Sequence, residues 1–185
     1  PEPNFQLEAL VPVVRGEMRC RIHAHRSDDI MTAVKIAEEF HLDYTIEHCT
    51  EGYMIVDALK RHHVRATIGP YLWGPEKQEL WNMSMENPGI LAQNGIDIAL
   101  TADDGSRTAY LPATIGLLLR RGLSEKAAFE GVTIQPARTL QLEDRIGSLE
   151  PGKDADIAIF DGHPFSSLSA CRMTIIDGKI VHNTL

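Results

Sequence analysis

No stretch of this chain runs to the roughly 18 uninterrupted apolar residues that a membrane-spanning helix needs, and no charged-then-apolar leader opens it. No membrane partner is therefore expected. Basic residues are also in short supply, 18 Lys and Arg against 26 Asp and Glu, for a formal net charge of -8. A nucleic-acid surface normally shows a basic stripe, so no nucleic-acid partner is expected either. Cysteine is scarce: Cys20, Cys49 and Cys171 are odd in number, far apart and without CxxC spacing. A reducing, cytoplasmic setting fits that pattern. An initiator methionine is missing too, since the chain opens on Pro1, which points to a processed product or a fragment.

What is present suffices for one domain. The 185 residues are 43% hydrophobic, enough to build a sizeable core. Apolar residues at helical spacing over 4–15, closed by Gly16, predict a leading helix without a strand of its own. MRCRIHA then reads as a strand, DDIMTAVKIAEEFH as a helix, DYTIEHC as a strand, EGYMIVDALKRHH as a helix and VRATIGP as a strand with a Gly-Pro breaker. PEKQELWNMSM and PGILAQNG predict one broken helix or two short ones, leading into the strand IDIALTAD. Helices over 108–122 and 124–141 follow. The region of Trp73, Trp81 and Met83 to Met85 reads as a packed surface or lid.

This alternation predicts parallel strands with helical crossovers. Past Leu140 the texture turns to short β-branched runs punctuated by Asp-Gly, the mark of a small antiparallel β module. Four strands make a small open sheet or half of an eight-stranded barrel, and a whole barrel takes about 250 residues. The strandless leading helix favours a half whose first part is missing. Open sheet edges then make self-association, or association with that missing part, the expected remedy.

Parallel α/β folds carry their working residues at the carboxyl ends of strands. The predicted first strand ends in His23 and His25, the second in Glu47 and His48, and the fourth in Asp103 and Asp104. Counting by twos, one imidazole or carboxylate from each strand can point inward. Two imidazoles and a carboxylate suit a divalent ion, zinc first, with iron or manganese as alternates. Asp103 beside a metal-activated water could take its proton and pass it to a leaving group. His62 and His63 fall at a helix C-terminus and read as structural.

The stretches RIHAHRSDDI, TIEHCTEG, IDIALTADDGS and TIQPARTLQLEDRIGSLEPGKDADIAIFDGHPF resemble the amidohydrolase superfamily, in particular its imidazolonepropionase-like members. The resemblance covers essentially the whole chain but only the C-terminal part of a family member. It implies the C-terminal half of a (β/α)8 TIM-type barrel over 1–141, followed by a segment of the small β-sandwich domain over 142–185. It also implies a metal-dependent hydrolase of non-peptide C–N bonds in a cyclic amide or related small molecule. His23, His48 and Asp103 match the family's metal ligands after its fifth, sixth and eighth strands, and Asp103 its proton shuttle. His25 and Arg26 match positions near the pocket, where substrate contact is implied. The family's first-strand His-x-His and its fourth-strand carboxylate or modified lysine have no counterpart in these residues. A different class stays open beside this one: a non-catalytic α/β module that self-associates or binds a partner through its sheet edges.

Overall fold

A computed structural model describes residues 4–72, 74 and 77–185. Strands β1 (Cys20–Ala24), β2 (Tyr44–His48), β3 (Ala66–Ile68) and β4 (Ile98–Leu100) form one parallel sheet. Their spatial order, β1-β2-β3-β4, repeats their order in sequence, which is barrel winding rather than the reversal of a doubly wound sheet. Each strand feeds a helix: α3 (Ser27–Glu39), α4 (Val56–Arg61), α5 (Asn87–Gln93) and α6 (Leu111–Arg120). The expected half-barrel is thus found. Among the described residues, the outer edges of β1 and β4 carry no partner strand.

Register sorts the sheet into two faces. The row Ile22, Ile46, Ala66 and Ile98 packs with Ile30, Val34, Leu59, Leu91, Ile115 and Leu118 from the helices, forming the core. The next row, His23, Glu47, Thr67 and Ala99, takes the opposite, more polar face. There Arg21 pairs with Glu47 at 2.5 Å, and the Thr45 and Thr67 hydroxyls donate to Glu47 Oε1 at 3.0 and 3.2 Å. Burial alone would raise the Glu47 carboxyl, but the Arg21 guanidinium and the two threonines hold it below its ordinary range.

Several predicted helices are divided, and proline explains two of the breaks. The helix expected over 4–15 is instead α1 (Phe5–Glu8) and α2 (Val11–Val14), because Pro12 has no N–H to return to Glu8. Likewise α7 (Glu125–Val132) and α8 (Ile134–Thr139) part at Thr133, where Pro136 cannot bond back to Val132. The helix over 51–63 begins as a 3-10 turn, Gly52–Met54, before α4. Of the helix expected from Pro75, residues 75 and 76 lie outside the described residues, as does Trp73. The remainder holds a 3-10 turn, Gln78–Leu80. Trp81 is exposed, while Met83 and Met85 pack against the core.

The antiparallel module is found as β5 (Ile157–Phe160), β6 (Cys171–Ile176) and β7 (Lys179–Asn183). Asp177 and Gly178 both take positive φ between β6 and β7, as a tight hairpin requires. The preceding loop docks on the helices. His163 Nε2 lies 3.0 Å from Glu125 Oε1, and the buried Phe165 ring packs on Phe129 with centroids 4.8 Å apart. Gly116 of α6 permits that approach, since a Cβ there would collide with the Phe165 carbonyl. Among the described residues no helix is long and apolar enough to cross a membrane.

Candidate metal centre

The carboxyl ends of β1 and β2 bring three imidazoles together. His23 lies near the end of β1, His25 just beyond it, and His48 closes β2. Strict alternation would keep His23 and His48 apart, because His23 is in register with Glu47 and His48 with Ala24, one residue on. Their ring centroids are nevertheless 4.2 Å apart. The backbone is the reason: His48 and Cys49 take φ of 70° and 44°, so alternation stops where the strand does. The convergence expected from counting by twos therefore comes from a left-handed strand end. Asp103 shows the same device, with φ of 50° and its N–H donating to Thr101 Oγ1 at 3.0 Å. Left-handed backbone at non-glycine residues is uncommon and tends to collect at working sites.

Hydrogen bonds then orient the rings. His48 Nδ1 lies 2.6 Å from the Gly69 carbonyl, which only accepts, so that nitrogen carries the proton and Nε2 presents a lone pair. His48 Nε2 is 3.1 Å from His23 Nδ1, and His23 Nε2 is 2.8 Å from His25 Nε2. His25 Nδ1 ends the chain on the Thr50 hydroxyl at 2.8 Å. With neutral rings every donor in this series finds an acceptor if Thr50 donates to His25, His25 to His23, His23 to His48 and His48 to Gly69. Thr50 can also accept, which leaves His25 free to turn its lone pair inward. Burial first, and then the neighbouring rings, push the His25 pKa down to about 4 and lower that of His23. Neutral imidazole is the form that binds a cation.

Donor atoms of His23, His25 and His48 all lie within 4.8 Å of one another, the one such group among the described residues. Asp103 stands at the rim, exposed, its Oδ2 3.9 Å from His48 Nε2. Of the residues singled out in the sequence, four therefore meet here: His23, His25, His48 and Asp103. Arg26 does not, because its guanidinium pairs with Asp28 at the start of α3, both bonds 3.0 Å long. The rings wall a cavity of about 130 Å³ together with Asp103, Lys77, Leu80 and Met83. A larger hollow of about 310 Å³, between α8 and residues 146–156, gathers no comparable donor set.

Sequence reasoning missed the roles of five residues. The Gly69 carbonyl fixes the His48 tautomer and the Thr50 hydroxyl pairs with His25 in either sense, yet neither carries a sequence signal beyond its place after a strand. Lys77 and Glu79 come from the 3-10 segment that approaches the cavity. Glu79 Oε1 lies 3.6 Å from His25 Nε2, and Lys77 Nζ lies 2.6 Å from the same oxygen. Glu51 acts behind the site: its buried carboxylate accepts from Ser27 N–H and Asn82 Nδ2 at 2.7 and 2.8 Å, and its own N–H donates to the His25 carbonyl.

Comparisons with known proteins agree with this architecture. A crystal structure of an amidohydrolase from Thermotoga maritima superimposes with a TM-score of 0.93 at 38% identity, covering all of this chain and 48% of that one. Adenine deaminase 2 of Jannaschia sp. is 41% identical over 88 residues, 45% of this chain and 14% of its own length. An imidazolonepropionase of Shewanella baltica is 30% identical over 104 residues, 50% of this chain and 25% of its own. The chain thus spans half or less of the relatives it matches. Residues 8–182 match the model of the amidohydrolase family, nearly the whole sequence from α1 to β7. By that match, by the half-barrel and by the histidines at its strand ends, the chain belongs to the amidohydrolase family.

Proposed function

We propose that this chain supplies the metal-binding and proton-transfer side of a hydrolase acting on a non-peptide C–N bond, in a cyclic amide or related small molecule. The observation that carries the reading is the convergence of His23, His25 and His48 beside Asp103, with His48 locked by Gly69 in the tautomer a cation requires. Neutral nitrogen donors with one carboxylate are the chemistry that suits zinc, with iron or manganese as alternates. In this proposal His23, His48 and Asp103 hold the ion. His25, tied to Thr50, faces the substrate, and Arg26 contacts it only if its pair with Asp28 opens. A bound divalent ion would supply carbonyl polarisation and a more acidic water. Asp103 then accepts a proton from the attacking water and returns it to the leaving nitrogen, which needs an exposed carboxylate beside the donors.

The relatives lend support from their own names, an adenine deaminase and an imidazolonepropionase. We also propose that the open sheet edges are covered in use, by a complementary half-barrel or a second copy, inside a cytoplasmic enzyme whose barrel part spans 1–141 and whose β module spans 142–185. Elemental analysis tests the metal reading. Near-stoichiometric zinc is expected in the purified chain and at least about tenfold weaker retention in Asp103→Ala and His48→Ala, with His25→Ala keeping its metal. Zinc that is absent, or indifferent to all three changes, would refute this reading and favour the non-catalytic module.

A further inference from the structure

Lys77 is the one cationic side chain among the described residues that wall the metal-centre cavity. Its ammonium is tied to Glu79 at 2.6 Å, and the same carboxylate oxygen stands 3.6 Å from His25 Nε2. One carboxylate therefore separates the ammonium from the imidazole cluster. Leu80 and Met83, on neighbouring turns, give that wall an apolar lining. With a divalent ion on the histidines and Asp103 to engage the reacting group, Lys77 is the side chain of this wall that can pair with a second, anionic group of the same molecule. Lys77 is half-exposed and Glu79 a third exposed. Ion pairs this wet are held weakly, and one carboxylate can replace another on the ammonium at little cost. A lysine suits such an exchange because it is a flexible point charge that adapts to the ligand's reach.

We propose that Lys77 determines specificity for a substrate bearing a carboxylate close to its scissile C–N bond, Glu79 holding the ammonium in place until that carboxylate displaces it. The inference rests on the metal-centre reading and names the substrate class for it. Displacement also frees Glu79 beside His25, so occupancy of the anion subsite changes the charge facing the donors.

Two probes separate the contributions. Acetohydroxamate binds a metal centre through its hydroxamate alone, whereas N-hydroxysuccinamic acid carries the same group and a carboxylate two carbons away. Calorimetric titration of the zinc-loaded chain is expected to show the second binding about tenfold tighter than the first. The protein's net charge of -8 opposes that preference, so general electrostatic attraction does not produce it. In Lys77→Met the preference should vanish with acetohydroxamate binding unchanged. In Lys77→Arg part of it should remain, and in Glu79→Gln, which removes the internal competitor, it should widen. Equal affinities in the unmodified chain, or a preference that survives Lys77→Met, would overturn the proposal. Zinc content measured on the same samples separates the two ideas: failure to take up zinc overturns the metal-centre reading and this subsite with it, while zinc bound without carboxylate preference overturns the subsite alone.

Discussion

At the scale of single residues, the imidazole cluster makes the molecule sensitive to acid. His25 and His23 both have folded-state pKa values below the ordinary 6.5, through burial and then through neighbouring rings. Between pH 6.5 and about 4 the unfolded chain therefore binds more protons than the folded one, and stability rises with pH across that window. Their contribution is complete above pH 6.5 and is lost as pH falls. Glu47 and Glu51, whose carboxyls are held below their usual range, weaken the fold in the same direction only at lower pH. Urea unfolding of the metal-free chain should show a lower midpoint at pH 5 than at pH 7, and His25→Gln should shrink the difference. A midpoint that is flat or higher at pH 5 would contradict the neutral cluster. Most of these residues were legible in the sequence, because histidine and aspartate at strand ends are an unusual use of those positions. Lys77 and Glu79 were not: charged residues in a polar segment look like any solvated surface until the chain folds over a cavity.

Among the elements, the strands were the most legible, because parallel strands buried on both faces, as β3 and β4 are, write themselves as short apolar runs such as ATI and IAL. Helix boundaries were less so, and the two prolines that divide α1 from α2 and α7 from α8 lie inside patterns that are otherwise helical. What no pattern could reveal is left-handed backbone at His48 and Asp103, since φ at a non-glycine residue leaves no trace in composition. Gly69 is a backbone position of the opposite kind, where only one residue type fits. It directly follows β3 with φ of 131°, and a Cβ there would collide with the Thr101 carbonyl beyond β4. Gly69→Ala is expected to cost at least about 2 kcal/mol in denaturant unfolding. It should also disturb the centre, because the Gly69 carbonyl holds His48. A variant as stable as the parent would mean that β3 and β4 can separate without penalty.

For the whole molecule the issue is coverage. The sheet has two free edges among the described residues, and its polar face holds the half-exposed Arg21 against Glu47. Exposed edges recruit further strands. The chain in solution is accordingly expected to exceed its own 20.6 kDa when weighed by light scattering after size exclusion. A well-behaved monomer of that mass would mean the edges are protected by some other means. The half-barrel winding was legible from the β-α count and the leading helix without a strand. What covers the edges was not, because an edge strand and a paired strand share one alphabet.

The bond from Gly69 to His48 has a further consequence. It joins the end of β3 to the end of β2, so the ring is oriented by a neighbouring strand rather than by its own. The centre has no existence in any single segment of the polypeptide. Ligand geometry and strand pairing arise in the same event, and a spectroscopic metal substituted at these histidines would report on the chain's assembly as directly as on its chemistry.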